Sequence, residues 1–150
     1  MEGTTVRSKV TFDQVEVGTA IPVLVKPPMT RVQIAKYAGA SGDFNPLHVD
    51  EMYATQQSKM KSVIAHGMLS MGFLGHLLTT WVGGPEPLRR LDVQFRSSVY
   101  PGDVVTLSGE VTAKREEGGR CFVDCDVRAT NQDGVVVTSG VAQIELPAKG

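Results

Sequence analysis

Within Gly42-Asp43-Phe44-Asn45-Pro46-Leu47-His48-Val49-Asp50, a carboxylate, an amide and an imidazole crowd into one short stretch. A carboxylate and an imidazole at this spacing can move protons near neutral pH, which is general acid/base chemistry. Pro46 supplies no backbone N–H and biases Asn45 away from the right-handed helical region, so the stretch reads as turn or extended chain rather than ordinary helix. Asp43 and His48 are therefore expected on a loop between two apolar segments, where a rigid scaffold commonly carries its function. A plain structural reading competes with this one. In it, Asp43 and Asn45 form Asx turns and Asp50 caps the next helix.

A second feature begins at His66-Gly67-Met68. If a helix starts here, its first N–H groups have no intrahelical partner and its dipole favours negative charge. Gly67 has no side chain, so a substrate carbonyl could reach its N–H. A preorganised donor of this kind contributes about 2.7 to 4 kcal/mol when charge develops on oxygen. The competing reading is that Gly67 only lets the helix start close against a sheet. Carboxylate, imidazole and oxyanion donor together are the parts needed to move protons at a carbon next to a polarised carbonyl.

Other chemistries fit less well. His48, Asp50, His66 and His76 lack metal-ligand spacings such as His-Glu-x-x-His or paired Cys-x-x-Cys, so no metal is expected. His76, inside the apolar helix, reads as a core histidine, and His66 as fixing the loop or bordering the site. No serine lies in Gly-x-Ser-x-Gly, which argues against a Ser-His-Asp hydrolase. Arg89, Arg90 and Arg96, with Lys59 and Lys61, could attract phosphates, although short charge clusters usually form a solvated face.

These residues need elements to hold them. Residues 1 to 9 are polar and read as frayed. A short strand follows at residues 20–25 and ends at Pro27 and Pro28. Thr30 and Gln33 read as a capping box for a helix that stops near Gly39. Asp50 can cap a second short helix through about Gln57, after which residues 58–62 are polar and exposed. Residues 65–81 are apolar on nearly every side and predict a helix buried all round, closed by Gly83-Gly84-Pro85. Residues 88–99, 104–114, 120–130 and 135–146 are rich in β-branched residues and bounded by turn signals, including Glu116-Glu117-Gly118-Gly119 and Asn131-Gln132-Asp133-Gly134. They predict four consecutive antiparallel strands. The class is α+β, with a long antiparallel sheet curling around one apolar helix, and the remaining sheet edges and helix surface invite a second copy.

At 150 residues the chain fits one domain, residues 1–150. A formal net charge of -1 leaves no basic footprint for nucleic acid, so the expected partner is a small molecule. Cys121 and Cys125 fall four strand steps apart, about 13 Å, far beyond disulfide reach. They read as small buried hydrophobes in a reducing cytoplasm. No leader and no run of about 18 apolar residues is present, so neither a signal peptide nor a membrane span is expected.

Tyr37-Ala-Gly-Ala-Ser-Gly-Asp-Phe-Asn-Pro-Leu-His-Val-Asp50 resembles the signature of the MaoC-like, R-specific enoyl-CoA hydratases, the hydratase 2 family. Ala65-His-Gly-Met-Leu69 looks like the start of that family's central hotdog helix. Val93-Gln-Phe-Arg-Ser-Ser-Val-Tyr-Pro-Gly-Asp103 is similar to its characteristic strand and turn. The resemblance spans residues 8 to 146 and extends to the paired hotdog dehydratase subunits of actinobacterial type II fatty acid synthesis. It implies a hotdog fold, a curved antiparallel sheet around a long central helix. It also implies a lyase that interconverts trans-2-enoyl and (R)-3-hydroxyacyl thioesters of coenzyme A or acyl carrier protein, with no cofactor.

By the same resemblance, Asp43 and His48 hold the water and handle both protons of a syn addition, Asn45 braces the loop, and the Gly67 N–H polarises the thioester carbonyl. His66, Met68, Ser70 and Arg96 are the candidates for contact with substrate. Some members carry a serine further along the helix, where this chain reads Gly72-Phe-Leu-Gly75. Which of Asp43 and His48 is acid and which base is open at this point, as are chain length, carrier and homo- or hetero-oligomer. One rival is a hotdog subunit that binds acyl chains or completes a heterodimer, against which the retention of Asp43, Asn45 and His48 argues. Another is a hotdog thioesterase, against which stands the absence of a carboxylate between His66 and Trp81.

Overall fold

The computed structural model describes residues 6–149. A 3-10 turn (Phe12–Gln14) leads into strand β1 (Ala20–Val25), which is followed by helix α1 (Arg31–Ser41) and a one-turn helix α2 (Pro46–Val49). A π-helical turn (Tyr53–Gln57), the long helix α3 (Gly67–Val82) and strands β2 (Leu88–Phe95), β3 (Thr106–Glu117), β4 (Arg120–Thr130) and β5 (Val136–Leu146) follow. The five strands form one antiparallel sheet in the order β1-β3-β4-β5-β2. The sheet wraps α3, which is the hotdog arrangement.

The core lies between α3 and the facing side of the sheet. Leu74, Leu77, Leu78 and Val82 are essentially inaccessible, and they pack with Val111, Val123, Cys125, Val127, Ala142 and Ile144. Each such side chain contributes roughly 1.5–3 kcal/mol relative to exposure. Cys121 and Cys125 share this face, buried and unbridged. Among the described residues, no helix is long and apolar enough to cross a membrane.

Several expectations need correction. The last four strands are not consecutive neighbours. Strands β3, β4 and β5 make a meander, but β2 crosses to the far side of β5, pairing Leu91 with Ala142 and Phe95 with Thr138. The α3 segment is not buried all round, because Met68, Gly72, His76 and Thr80, four residues apart, form an exposed stripe. His76 is thus not a core histidine. Its Nδ1 accepts from the Lys26 ammonium at 2.6 Å, and partial burial lowers the pKa of Lys26. Residues 1–5 lie outside the described residues, and residues 6–9 are held in place rather than frayed. Val6 is buried, and Ser8 Oγ and the Lys9 N–H both donate to the Val82 carbonyl.

The helix caps also differ in detail. Thr30 caps α1 by accepting the Gln33 N–H at 3.0 Å, without the return bond from the Gln33 side chain. The helix runs two residues past Gly39 and ends where Gly42 takes φ 73°, a left-handed position that glycine adopts without strain. Asp50 Oδ1 accepts the Tyr53 N–H at 3.1 Å, and the helix it caps relaxes into the π turn through Gln57.

Candidate active site

Pro46 begins a helix instead of preventing one. It occupies the first position of α2, where its missing N–H has no intrahelical role and its fixed φ suits the turn. Asn45, held at φ -52° and ψ 126°, is the cap, with its Oδ1 accepting the Leu47 N–H at 3.0 Å. Asp43 therefore sits on the loop between α1 and α2 as expected, whereas His48 sits on the helical turn.

The loop uses one oxygen of Asp43 and leaves the other free. Asp43 Oδ1 accepts the Asn45 N–H at 3.2 Å, and Oδ2 faces His48 Nε2 at 3.9 Å. The Asx turns of the plain reading exist, and they aim the carboxylate at the imidazole. His48 is turned by a residue that the sequence did not single out. Its Nδ1 donates to the Ile64 carbonyl at 2.7 Å, which leaves Nε2 carrying the lone pair. The His48 side chain is only 10 % exposed and that of Asp43 54 %, so the pair opens outward through the carboxylate.

His66 closes the site from behind. Its ring is buried and stacks on that of His48, and the Tyr37 ring lies tilted against it at 4.8 Å between centroids. Its Nε2 donates to the Asp43 carbonyl at 3.0 Å, and Nδ1 has no partner among the described residues. Of the four residues weighed as metal ligands, only His48 and His66 come together. Asp50 caps a helix and His76 is paired with Lys26. Asp43, His48 and His66 can place one donor atom each within 4.8 Å of the others. His66 Nε2, however, is already committed to the Asp43 carbonyl, and His48 Nδ1 to the Ile64 carbonyl.

Gly67 follows His66 and opens α3. Its N–H is unpaired among the described residues. A Cβ built at this position would meet the Phe95 ring at 3.0 Å, so glycine is required for close packing against β2 as well as being free to donate. Gly67, Ser70 and the Ile64–Ala65 segment, together with Phe95, Arg96 and Thr138, line a cavity of about 300 Å³. Ile64 joins the two halves of the site, since its carbonyl orients His48 and its residue borders the cavity. A larger hollow of about 720 Å³ lies on the outer face of the sheet among Asp92, Gln94, Arg96, Asp126 and Arg128. Neither hollow is lined by Asp43 or His48, but the smaller one is bordered by Gly67 and by Ile64, whose carbonyl holds His48, and so is the one joined to the candidate pair.

Of the remaining candidates, Ser70 is buried in the cavity wall, and Arg96 is exposed at its mouth with Nε donating to Ser139 Oγ at 3.1 Å. Met68 points outward and is 54 % exposed. Arg89 and Arg90 are paired through Nε with Glu145 and Asp92. Ile64 and Thr138 carry no sequence signal for a site, whereas Phe95 lies within the Val93–Asp103 motif quoted above. Tyr37 begins the motif quoted above and could have been found there.

A family model described as "MaoC like domain" matches residues 12–132. The chain is 40% identical over 115 residues to an (R)-specific enoyl-CoA hydratase of Rhodospirillum rubrum, covering 76% of this chain and 77% of that one. The unliganded R-hydratase PhaJ1 of Pseudomonas aeruginosa superposes with a TM-score of 0.81 at 29% identity, covering 95% of this chain and 88% of that one. A chain of the ChsH1-ChsH2 complex from Mycobacterium tuberculosis superposes with a TM-score of 0.75 at 25% identity, covering 87% and 98%. The chain therefore belongs to the MaoC-like domain family.

Proposed function

We propose that this protein is a lyase that adds water to trans-2-enoyl thioesters to give (R)-3-hydroxyacyl thioesters, and runs the reverse dehydration. The observation that carries the reading is the gap between His48 Nε2 and Asp43 Oδ2, at 3.9 Å. It is too long for a direct hydrogen bond and suits a water bonded to both atoms at about 2.8 Å. With Nδ1–H committed to Ile64, His48 Nε2 is the base. It takes one proton of that water while Asp43 accepts the other O–H, and the oxygen adds to carbon 3. Negative charge moves to the thioester oxygen, where the Gly67 N–H receives it. The imidazolium then returns its proton to carbon 2 on the same face, so the sum is one water added and no net proton change.

The relatives support coenzyme A as carrier, and the same geometry serves an acyl carrier protein. Phe44, Val49 and Met68 flank site residues and are each more than half exposed. We assign this apolar rim to contact with a second hotdog subunit, identical or related.

The test is loss of enoyl absorbance when the purified protein alone meets crotonyl-CoA, with chiral analysis of the product and a His48→Ala control. Fast, His48-dependent formation of the (R) product is expected. A folded protein that releases free thiol from a saturated acyl-CoA, or forms the (S) product, overturns the reading.

A further inference from the structure

Ser70 and Thr138 are 3 % and 1 % exposed; neither hydroxyl bonds to another described residue and neither is fully sealed from solvent, so each keeps a small face on the cavity. Both line the cavity beside Gly67. Ser70 lies one helical turn beyond Gly67, about 4.5 Å along the axis. Thr138 lies on β5 between Ala129 of β4 and Phe95 of β2, on the side of the sheet that faces α3. Two hydroxyls from different elements thus meet at one cavity wall, and no charged group accompanies them in its depth. Arg96 stays at the mouth, engaged with Ser139.

A cavity built for a plain alkyl chain would have an apolar wall here, because an alkyl group displaces water and leaves both hydroxyls unsatisfied. A substrate oxygen would satisfy them, since each hydroxyl both donates and accepts. From these two residues we infer that the cavity selects an acyl chain bearing an uncharged oxygen, a hydroxyl or a carbonyl, three or four carbons beyond the thioester carbonyl. That spacing follows from one helical turn between the Gly67 N–H, which holds the thioester oxygen, and Ser70. The assignment rests on the hydratase reading and names its substrate class.

The test compares trans-2-hexenoyl-CoA with its 5-hydroxy and 5-oxo counterparts, using the intact protein and the variants Ser70→Ala, Thr138→Val and the double variant. The expected result is a kcat/KM at least about tenfold higher for an oxygenated thioester, by the logic of sites that hydrogen-bond their substrate. Each single variant should cut that preference, and the double variant should reverse it in favour of the alkyl chain. The 5-hydroxy and 5-oxo arms show whether the alcohol or the carbonyl is the ligand. A wild-type preference for hexenoyl-CoA, or an oxygen preference that survives Ser70→Ala unchanged, overturns the inference. Calorimetric binding of saturated hexanoyl-CoA and 5-hydroxyhexanoyl-CoA reads the cavity without turnover. Equal affinities also overturn the inference. A binding preference for the hydroxylated thioester with no turnover of any enoyl-CoA would leave it standing and remove the hydratase reading alone.

Discussion

The imidazole of His66 lies face to face against that of His48, with ring centroids 3.7 Å apart and planes 20° from parallel. The same ring donates to the Asp43 carbonyl, so one buried side chain supports both members of the acid/base pair. His66 is a positioning residue in this scheme, since it touches no reacting atom. His66→Phe should keep the stack and lose the bond to Asp43, while His66→Gln should do the opposite. Each is expected to lower kcat by about tenfold to a hundredfold, with KM changed little, because misplacing a proton-transfer group costs rate before it costs binding. Steady-state kinetics on both variants check this, and a loss confined to KM would contradict it.

Asp43→Asn and His48→Ala should each reduce turnover by about two powers of ten or more, the usual scale for acid/base groups. Because both act on one water, the double variant should lose little beyond the worse single variant. Circular dichroism should show the fold intact in all three, since neither side chain belongs to the core. Additive losses would mean that the two residues act in separate steps.

Much of this architecture was legible because local chemistry and tertiary structure agree. Thr30 caps a helix, Gly118-Gly119 and Asn131–Gly134 turn hairpins, and the alternation in β4 buries every second residue from Cys121 to Ala129. The crossing of β2 to β5 was not legible, because strands with equally good alternation leave their long-range partner unstated. Pro46 misled because the rule that breaks helices in their interior favours their first position. His76 misled because an apolar stretch carries no mark of which face the sheet leaves uncovered. In the site, Asp43, His48 and Gly67 show themselves by type. Ile64 acts through its carbonyl, which depends on no recognisable motif, and Phe95 through its ring position, which the motif around it does not state.

Burial pushes the Cys125 thiol up to about 12, with Asp124 and Asp126 adding to the effect. The thiolate is the reactive species, so Cys125 should be inert at pH 8 in the folded protein. A thiol reagent such as dithionitrobenzoate is expected to leave it unmodified until denaturant is added, and then to titrate two thiols per chain. Mapping the labelled peptide by mass spectrometry checks which cysteine reacts. Fast labelling of Cys125 in native buffer would mean that β4 opens locally.

Glu145 is nearly buried at the end of β5, where hydrogen bonds from Arg120 and then Arg89 hold its carboxyl below the ordinary 4.5, outweighing burial, which acts the other way. A depressed folded-state pKa contributes stability that is complete above the unfolded value and is lost as pH falls through the folded value. Thermal melts should therefore show Tm falling as pH drops below about 4.5, with part of that slope assignable to this group. Glu145→Gln should be less stable at neutral pH and show a shallower acid limb. An unchanged limb would place the acid sensitivity at other carboxylates.

Gly67 can owe its place to its free N–H or to its lack of a side chain, and one substitution separates the two. Gly67→Ala keeps the N–H but drives a Cβ to 3.0 Å from the Phe95 ring, closer than ordinary contact. The ring is half exposed and can yield, so the fold should survive while the cavity wall shifts. Activity should fall by about tenfold, in line with a small displacement of a positioned group. Combining it with Phe95→Leu makes room for the new methyl and should restore most of the rate. If the double variant stays as slow as Gly67→Ala, the loss arises from the helix start and the path to its N–H. Recovery would assign the loss to the ring, with the oxyanion donor intact in both variants.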